Sequence, residues 1–299
     1  MRVHILGSAA GGGFPQWNCN CLNCAGLRTG SIRAKARTQC SVAVSVDGSR
    51  WSLLNASPDL RSQILSFPDL LPKGGVRGSA IDAVLLSDAE LDHITGLLSL
   101  REAQALRLYC TSQVFDWVLA SNAVFGVLNS HEKFRVTSVE DRTAETIGSG
   151  LGFEAHFVSG KVPTYVNTPP ANCDGAAVAC KLIDRRTGSS LLYVPAIKQV
   201  DERFIAAAAA CDCLLFDGSF WSDNEMEIRG IGTRTASAMG HLPISGPAGS
   251  LARLSDLKVR KIYTHINNTN PILDEDSPER RAVETAGWEV AEDAMDFTV

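Results

Sequence analysis

This chain of 299 residues has no basic cluster: 28 Lys and Arg stand against 33 Asp and Glu, leaving a net charge of −5. Without a basic face there is nothing to track a phosphate backbone, so nucleic-acid binding is not expected. A long apolar run is also missing. The longest, Phe204 to Phe216, contains Asp212 and is too short to cross a bilayer. The opening Met1-Arg2-Val3-His4-Ile5-Leu6-Gly7 reaches glycine after too few apolar residues for a secretory core. No repeat or low-complexity linker interrupts the chain. These absences lead us to expect a cytoplasmic protein with no membrane or nucleic-acid partner, and residues 1–299 as a single domain. What is present, 45% hydrophobic and 20% charged residues, suffices for a large core. Nine Cys without a secretory signal are expected as thiols that serve metals rather than disulfides.

Three of those cysteines lie in Asn18-Cys19-Asn20-Cys21-Leu22-Asn23-Cys24. Thiolates at i, i+2 and i+5 can converge on one ion, and tetrahedral Zn²⁺ is the usual occupant of such a set. The alternative, three small core residues, sits poorly with the intervening Asn residues and the neighbouring glycine-rich turn. Three thiolates leave a fourth position for a distant residue, and a site tied down in this way is structural. The Cys-rich loop at 18–24 is therefore read as zinc-binding.

Runs rich in Val, Ile, Leu and aromatics predict strands at residues 3–6, 41–46, 51–55, 83–87, 106–110, 153–158, 177–183, 190–194, 213–217 and 261–266. Helical patterns fall at 58–66, 91–101, 112–120, 201–210, 247–254 and 278–286. Ser57 before Pro58 and Ser277 before Pro278 read as caps followed by a first-turn proline, and Asp201 caps the alanine run. The elements do not alternate strictly. The pattern therefore favours an α/β (α+β) arrangement of two mixed sheets packed face to face with helices outside.

Several strands end in chemistry. Ala83-Val84-Leu85-Leu86 runs into Ser87-Asp88-Ala89-Glu90-Leu91-Asp92-His93, Leu214-Leu215-Phe216 into Asp217-Gly218, and Ile262-Tyr263-Thr264 into His265. Strand ends are where rigid scaffolds present working groups. Asp88 reads as a cap or solvated residue at a helix N-terminus, where an acid suits the macrodipole. Asp92, His93, Asp217 and His265 form a shell of two imidazoles and two carboxylates suited to a non-haem iron site; Glu90 is a further ligand or a base. His241, in Met239-Gly240-His241-Leu242-Pro243, lies on a loop, where it can orient substrate, move a proton, supply the missing zinc ligand or cap a helix. His4 and His156 read as core, His131 as exposed.

The opening strand into Gly7-Ser8-Ala9-Ala10-Gly11-Gly12-Gly13, Asn55-Ala56-Ser57-Pro58-Asp59, Asp92-His93, Phe216-Asp217-Gly218 and Thr264-His265 together resemble the metallo-β-lactamase superfamily. Its hallmark H-x-H-x-D-H aligns with Asp88 to His93, so Asp88 and Glu90 replace the first two histidines. A narrower resemblance covers Met1 to Val299. Phe14–Cys21, Ser87–His93, Gly240–Ile244 and Thr264–Pro271 are similar to the family that makes coenzyme PQQ (pyrroloquinoline quinone), synthesis protein B. The resemblance implies a four-layer αββα sandwich. The Cys triplet is shared with phosphodiesterase relatives, in which a His three residues after the strand-end His completes a zinc site; Asn268 occupies that position here.

That family resemblance implies a role in converting the Glu and Tyr of a ribosomal peptide into the quinone. It implies an Fe²⁺-dependent hydroxylase that acts with O₂ on the tyrosine ring of a Glu-Tyr precursor. His93 and His265 would be imidazole ligands, Asp92 and Asp217 anionic ligands, and Glu90 or His241 the proton-transfer group. Cys19, Cys21, Cys24 and Asn268 would hold structural Zn²⁺, and Ser87, Lys161 and Tyr165 would meet substrate. Other PQQ-pathway proteins and a second copy of the chain are the expected partners. Two competing functions are a carrier of PQQ or its precursor toward the periplasm, and a metallo-hydrolase of phosphodiesterase or lactonase type. The missing hallmark histidines disfavour a dinuclear zinc centre that would activate hydroxide.

Overall fold

The computed structural model describes all residues except 103–105, 121, 130–133, 149 and 168–172. The strands are β1 Arg2–Gly7, β2 Ser41–Ser45, β3 Trp51–Leu54, β4 Ile81–Leu85, β5 Leu106–Cys110, β6 Phe134–Ser138, β7 Ala144–Ile147, β8 Leu151–Val158, β9 Ala177–Asp184, β10 Ser190–Val194, β11 Cys213–Asp217, β12 Arg260–Thr264, β13 Trp288–Val290 and β14 Asp296–Thr298. They form two seven-stranded mixed sheets, ordered β14-β1-β2-β3-β4-β5-β6 and β13-β12-β11-β10-β9-β8-β7. In each sheet one half is antiparallel and the other parallel: β3 to β6 run together, as do β10 to β13.

Alternation along the strands builds the layers. In β1, Val3 and Ile5 point between the sheets while Leu6 faces outward; in β11, Cys213 and Leu215 point inward while Leu214 and Phe216 face the other side. Leu54, Leu85, Phe153, Leu182, Leu191 and Ile262 complete the inter-sheet core. The outer face of the first sheet is covered by helices Leu60–Ser66, Leu91–Ile94 and Ser112–Phe115, and that of the second by Glu202–Ala209 and Pro278–Thr285. The result is the four-layer αββα sandwich, as expected.

Local details depart from the expected pattern. Ser57 does not cap the helix after Pro58, which begins at Leu60; its hydroxyl is buried and donates to Gln63 Oε1 at 2.9 Å. Ser277 and Asp201 do cap, accepting from the backbone N–H of Arg280 and Phe204. The helix expected over 91–101 is α-helical only to Ile94 and continues as 3₁₀ over Thr95–Glu102. Backbone groups here are spent on the neighbouring segment: His93 O accepts from Ala56 N at 2.7 Å and Gly96 N donates to Ala56 O at 2.8 Å. Gly96 lies against the backbone of Ala56–Ser57, where an added Cβ would come 2.3 Å from Ser57 O. His4 is buried, stacked on Phe67 at 3.6 Å and paired with Asp296. His156 is not core: it is half-buried beside Glu154. His131 lies outside the described residues.

Candidate metal centre and its cavity

The loops after β4, β11 and β12 meet at one end of the sandwich. The His93 and His265 rings lie 4.9 Å apart, and His265 Nε2 is 3.2 Å from Asp92 Oδ2. Three groups of donors among the described residues each fall within 4.8 Å: Asp92, His93 and His265; Asp217, His241 and His265; and Cys19, Cys21 and Cys24.

Asp88 is neither solvated nor a simple cap. It is 4% exposed, and its two oxygens lie 2.7 and 2.8 Å from His93 Nδ1. It also accepts from Ser87 Oγ at 2.8 Å and Glu90 N at 2.9 Å. A carboxylate there favours the proton on Nδ1, which directs the Nε2 lone pair into the cavity. His93 Nε2 is buried and has no hydrogen-bond partner. A buried polar atom left unpaired costs about 1–3 kcal/mol, and a metal ion shared with Asp92 and His265 would satisfy it. The donor set therefore fits a divalent transition metal.

On the opposite wall, Ser219 Oγ lies 2.7 Å from Asp217 Oδ1, 2.8 Å from His265 Nδ1 and 3.1 Å from His241 Nδ1. One buried hydroxyl thus ties three donors together. The only local sign of it is a hydroxyl residue two positions after an Asp at a turn, where Ser219 N also donates to Asp217 Oδ1 at 3.0 Å. Ser219 was not among the expected site residues. Asp217 is fully buried; its other oxygen takes His241 Nδ1 at 2.8 Å and Ile197 N at 3.1 Å. His265 sits in the left-handed region at φ 55°, a strained choice for a non-glycine residue. It is held there by Ile266 N donating to Ser8 O and by Ser219 Oγ donating to His265 O.

Charges are strongly coupled. Burial opposes the His93 imidazolium, but Asp88, Asp92 and Glu90 outweigh it and hold the pKa up at about 9 in the metal-free site, so a metal ion at Nε2 displaces a proton. Burial would raise Asp92, yet the His93 charge and the His265 bond bring it well below the usual carboxylate range. Burial lowers His265, only partly offset by Asp92. Glu90 is pushed up by burial against the opposing pull of Lys161, whose Nζ is 3.2 Å from Glu90 Oε1.

These groups line a cavity of about 190 Å³, with Gly11, Lys161, Phe220, Arg234 and Met239 on its walls. Gly240, at φ 91°, lies against the Lys161 stem, which a Cβ would meet at 3.1 Å. Ser87 and Tyr165, expected at the substrate, do not line it. Ser87 is buried between Asp88 and Asn55 Nδ2 (2.9 Å), and the Tyr165 hydroxyl donates to Ala89 O at 2.6 Å, bracing the loop from behind. Lys161 does face the cavity.

At the cysteine site the Asn268 carboxamide points into the three sulfurs, 3.2, 3.6 and 3.4 Å from Cys19, Cys21 and Cys24 Sγ. Tetrahedral zinc with three S ligands and one O ligand has S···O edges of about 3.6 Å. Asn268, turned to present Oδ1, therefore fits as a fourth donor. Its backbone is fixed by Asn23 Nδ2, which donates to the carbonyls of Asn268 and Asn270 at 3.0 and 2.8 Å.

The Beta-lactamase superfamily domain matches residues 50–266. Coenzyme PQQ synthesis protein B of Azoarcus sp. (strain BH72) is 45% identical over 300 residues, covering 99% of each chain. That of Pseudomonas putida (strain W619) is 45% identical over 302 residues, again with 99% of each covered. The crystal structure of Zn²⁺-bound PqqB from Methylobacterium extorquens superposes with a TM-score of 0.94 at 42% identity, covering 100% of both chains. A diphosphatase of the PhnP family shares the fold, with a TM-score of 0.67 at 19% identity over 100% of this chain and 97% of that one. The chain belongs to the beta-lactamase superfamily and, within it, to the coenzyme PQQ synthesis protein B family.

Proposed function

We propose that the chain acts in PQQ biosynthesis as an iron- and O₂-dependent hydroxylase of the tyrosine ring in a Glu-Tyr precursor derived from a ribosomal peptide. One observation carries the reading: Asp92, His93 and His265 offer two imidazoles and one carboxylate around one point, the donor set of non-haem iron oxygenases. Asp88 and Glu90 stand where the superfamily hallmark has histidines. Membership of the PQQ synthesis protein B family supports a role in PQQ biosynthesis, and membership of the superfamily supports a metal-dependent enzyme.

Iron held by Asp92, His93 and His265 would supply the redox chemistry toward O₂; Asp217, expected in the same shell, falls instead in the group with His241 and His265, with its oxygens taken by Ser219, His241 and Ile197 N. The chain's own residues do the rest. Asp88 and Ser219 hold the Nδ1 atoms of His93 and His265, so each ring presents Nε2. The cavity is somewhat larger than the void of about 150 Å³ that accommodates benzene, a size suited to one phenol ring. A phenol reacts with oxygen more readily once deprotonated. Glu90, steadied by Lys161, and His241, tied to Asp217, are the groups within the cavity that can take that proton. Each hydroxylation puts one O atom of O₂ on the ring and reduces the other to water, using two electrons and two protons from an external two-electron reductant. Cys19, Cys21, Cys24 and Asn268 hold structural zinc in this reading, and the protein works in the cytoplasm alongside other PQQ-pathway proteins.

A metallo-hydrolase is the second reading, favoured by the Asp217, His241 and His265 group, which offers a place for a second ion. Metal content separates the two. Zinc plus one redox-active metal per chain, with iron lost from His93→Ala and His265→Ala, fits the hydroxylase. Stoichiometric iron retained in either variant would break the ligand assignment.

A further inference from the structure

We propose that Arg234 is the anion anchor of the cavity: it takes a carboxylate on the part of the substrate that lies outside, while an aromatic ring lies within. This rests on reading the cavity as the seat of aromatic-ring oxidation, and it assigns the residue that would recognise an acidic group beyond the ring.

Size comes first. The cavity of about 190 Å³ takes one ring and little more, so the rest of any amino acid must project from its mouth. The walls suit a flat apolar body: Phe220 and Met239 line them, together with Gly11 and Gly160, which carry no side chain. Asp88, Glu90 and Asp92 also line the cavity, and they engage His93, Lys161 and His265, so among the described residues no cation beside the ring is free for a substrate carboxylate. An acidic substrate therefore enters ring first, with its carboxylate left outward.

The cations sort in the same way. His93 is committed to Asp88 and Lys161 to Glu90. Arg234 is exposed at the cavity, and among the described residues no hydrogen bond or ion pair engages its guanidinium. Its loop is nevertheless braced. Asp223 Oδ1 accepts from Ser237 N and Oγ at 2.8 and 2.7 Å, and Asp223 O accepts from Ala236 N at 2.8 Å. An ordered backbone thus presents an unpaired planar fork of donors, the geometry that binds carboxylates in bidentate fashion.

The test is calorimetric binding to the full chain loaded with redox-inert Zn²⁺, so that no turnover intervenes. The probes are Glu-Tyr, Gln-Tyr, which lacks the side-chain carboxylate, and Glu-tyramine, which lacks the C-terminal one. Arg234→Gln should weaken Glu-Tyr about tenfold. It should leave unchanged the affinity for whichever probe lacks the contacted carboxylate, and Arg234→Lys should recover part of the loss. Unaltered zinc content and melting temperature show that the variant is folded. Equal losses for all three probes, or none, would overturn the anchor while leaving the functional reading intact. Failure of the wild-type protein to bind any of the three would overturn both.

Discussion

Replacing Asp88 by Asn changes one atom and one charge in a buried site, and its effect on metal binding can be worked out from the contacts. Asp88 accepts from His93 Nδ1, Ser87 Oγ and Glu90 N at 2.7–2.9 Å. The Asn variant keeps one oxygen, which stays with Glu90 N and His93 Nδ1 as a neutral acceptor. Its amide nitrogen then replaces the oxygen that faces Ser87 Oγ and His93 Nδ1, both donors in the native arrangement, so Ser87 must turn round and the His93 Nδ1–H is held more weakly. A charge-assisted bond of about 1.5–3 kcal/mol is lost. Loss of such a partner behind a metal-binding His lowers metal affinity by roughly 10–100-fold, or about 1.4–2.7 kcal/mol. Asp88→Ala should do at least as much and also destabilise the fold by about 1–3 kcal/mol, since Nδ1–H is left buried and unpaired. Competition of metal-free protein against a chromophoric chelator measures both variants, with the cysteine site as an internal reference equivalent. Wild-type affinity in both would refute the role given to Asp88.

Other parts of the molecule give three further expected outcomes. Glu225 is 2% exposed, and burial raises its pKa to about 7 despite hydrogen bonds from Thr269 and Trp221. The folded state therefore holds this proton more tightly than the unfolded one. Stability from this group is full below about pH 4.3 and is lost as the pH rises to about 7, by roughly 3 kcal/mol. Glu225→Gln should flatten that slope in urea unfolding at pH 5 and 8, and identical slopes would contradict it. Gly96→Ala, with its Cβ 2.3 Å from Ser57 O, should push the metal-binding helix off Ala56–Ser57 and lower the melting temperature by several degrees, at about 2 kcal/mol or more; an unchanged melting curve would count against the packing argument. Cys24→Ser should remove one zinc equivalent by elemental analysis and lower the melting temperature while the second metal stays; full zinc retention would rule out that ligand set.

Much of the site was legible because strand-end chemistry is local in sequence. An apolar run followed by Asp or His marks both the strand and the group it delivers, and so the sequence alone points Asp92-His93, Asp217 and His265 to one end of the sandwich, where they form two donor groups that share His265. The cysteine spacing was equally local, and Asn268 entered only through a family resemblance. What stayed hidden depends on neighbours distant in the chain. Asp88 looks like a solvated cap until His93 folds back on it. Ser219 has no distinguishing sequence context, yet it joins Asp217, His241 and His265. Tyr165 and Ser87 are polar residues near the motif whose hydroxyls turn inward to Ala89 and Asp88. The strands β6, β7, β13 and β14, the outermost of their sheets, were missed: β6, β7 and β14 are short with mostly polar or half-exposed residues, and β13 is only three residues long, so neither apolar run nor alternation announces them. Ser57 fails as a cap because its hydroxyl is used across the turn by Gln63.

The most direct measurement is anaerobic reconstitution with Fe²⁺, then exposure to O₂ and a reductant in the presence of a Glu-Tyr peptide, read by mass spectrometry. The account predicts a gain of about one or two oxygen atoms on the tyrosine ring, absent in His93→Ala and His265→Ala together with their iron. An unchanged peptide mass, with iron bound stoichiometrically to the wild-type protein, would contradict it.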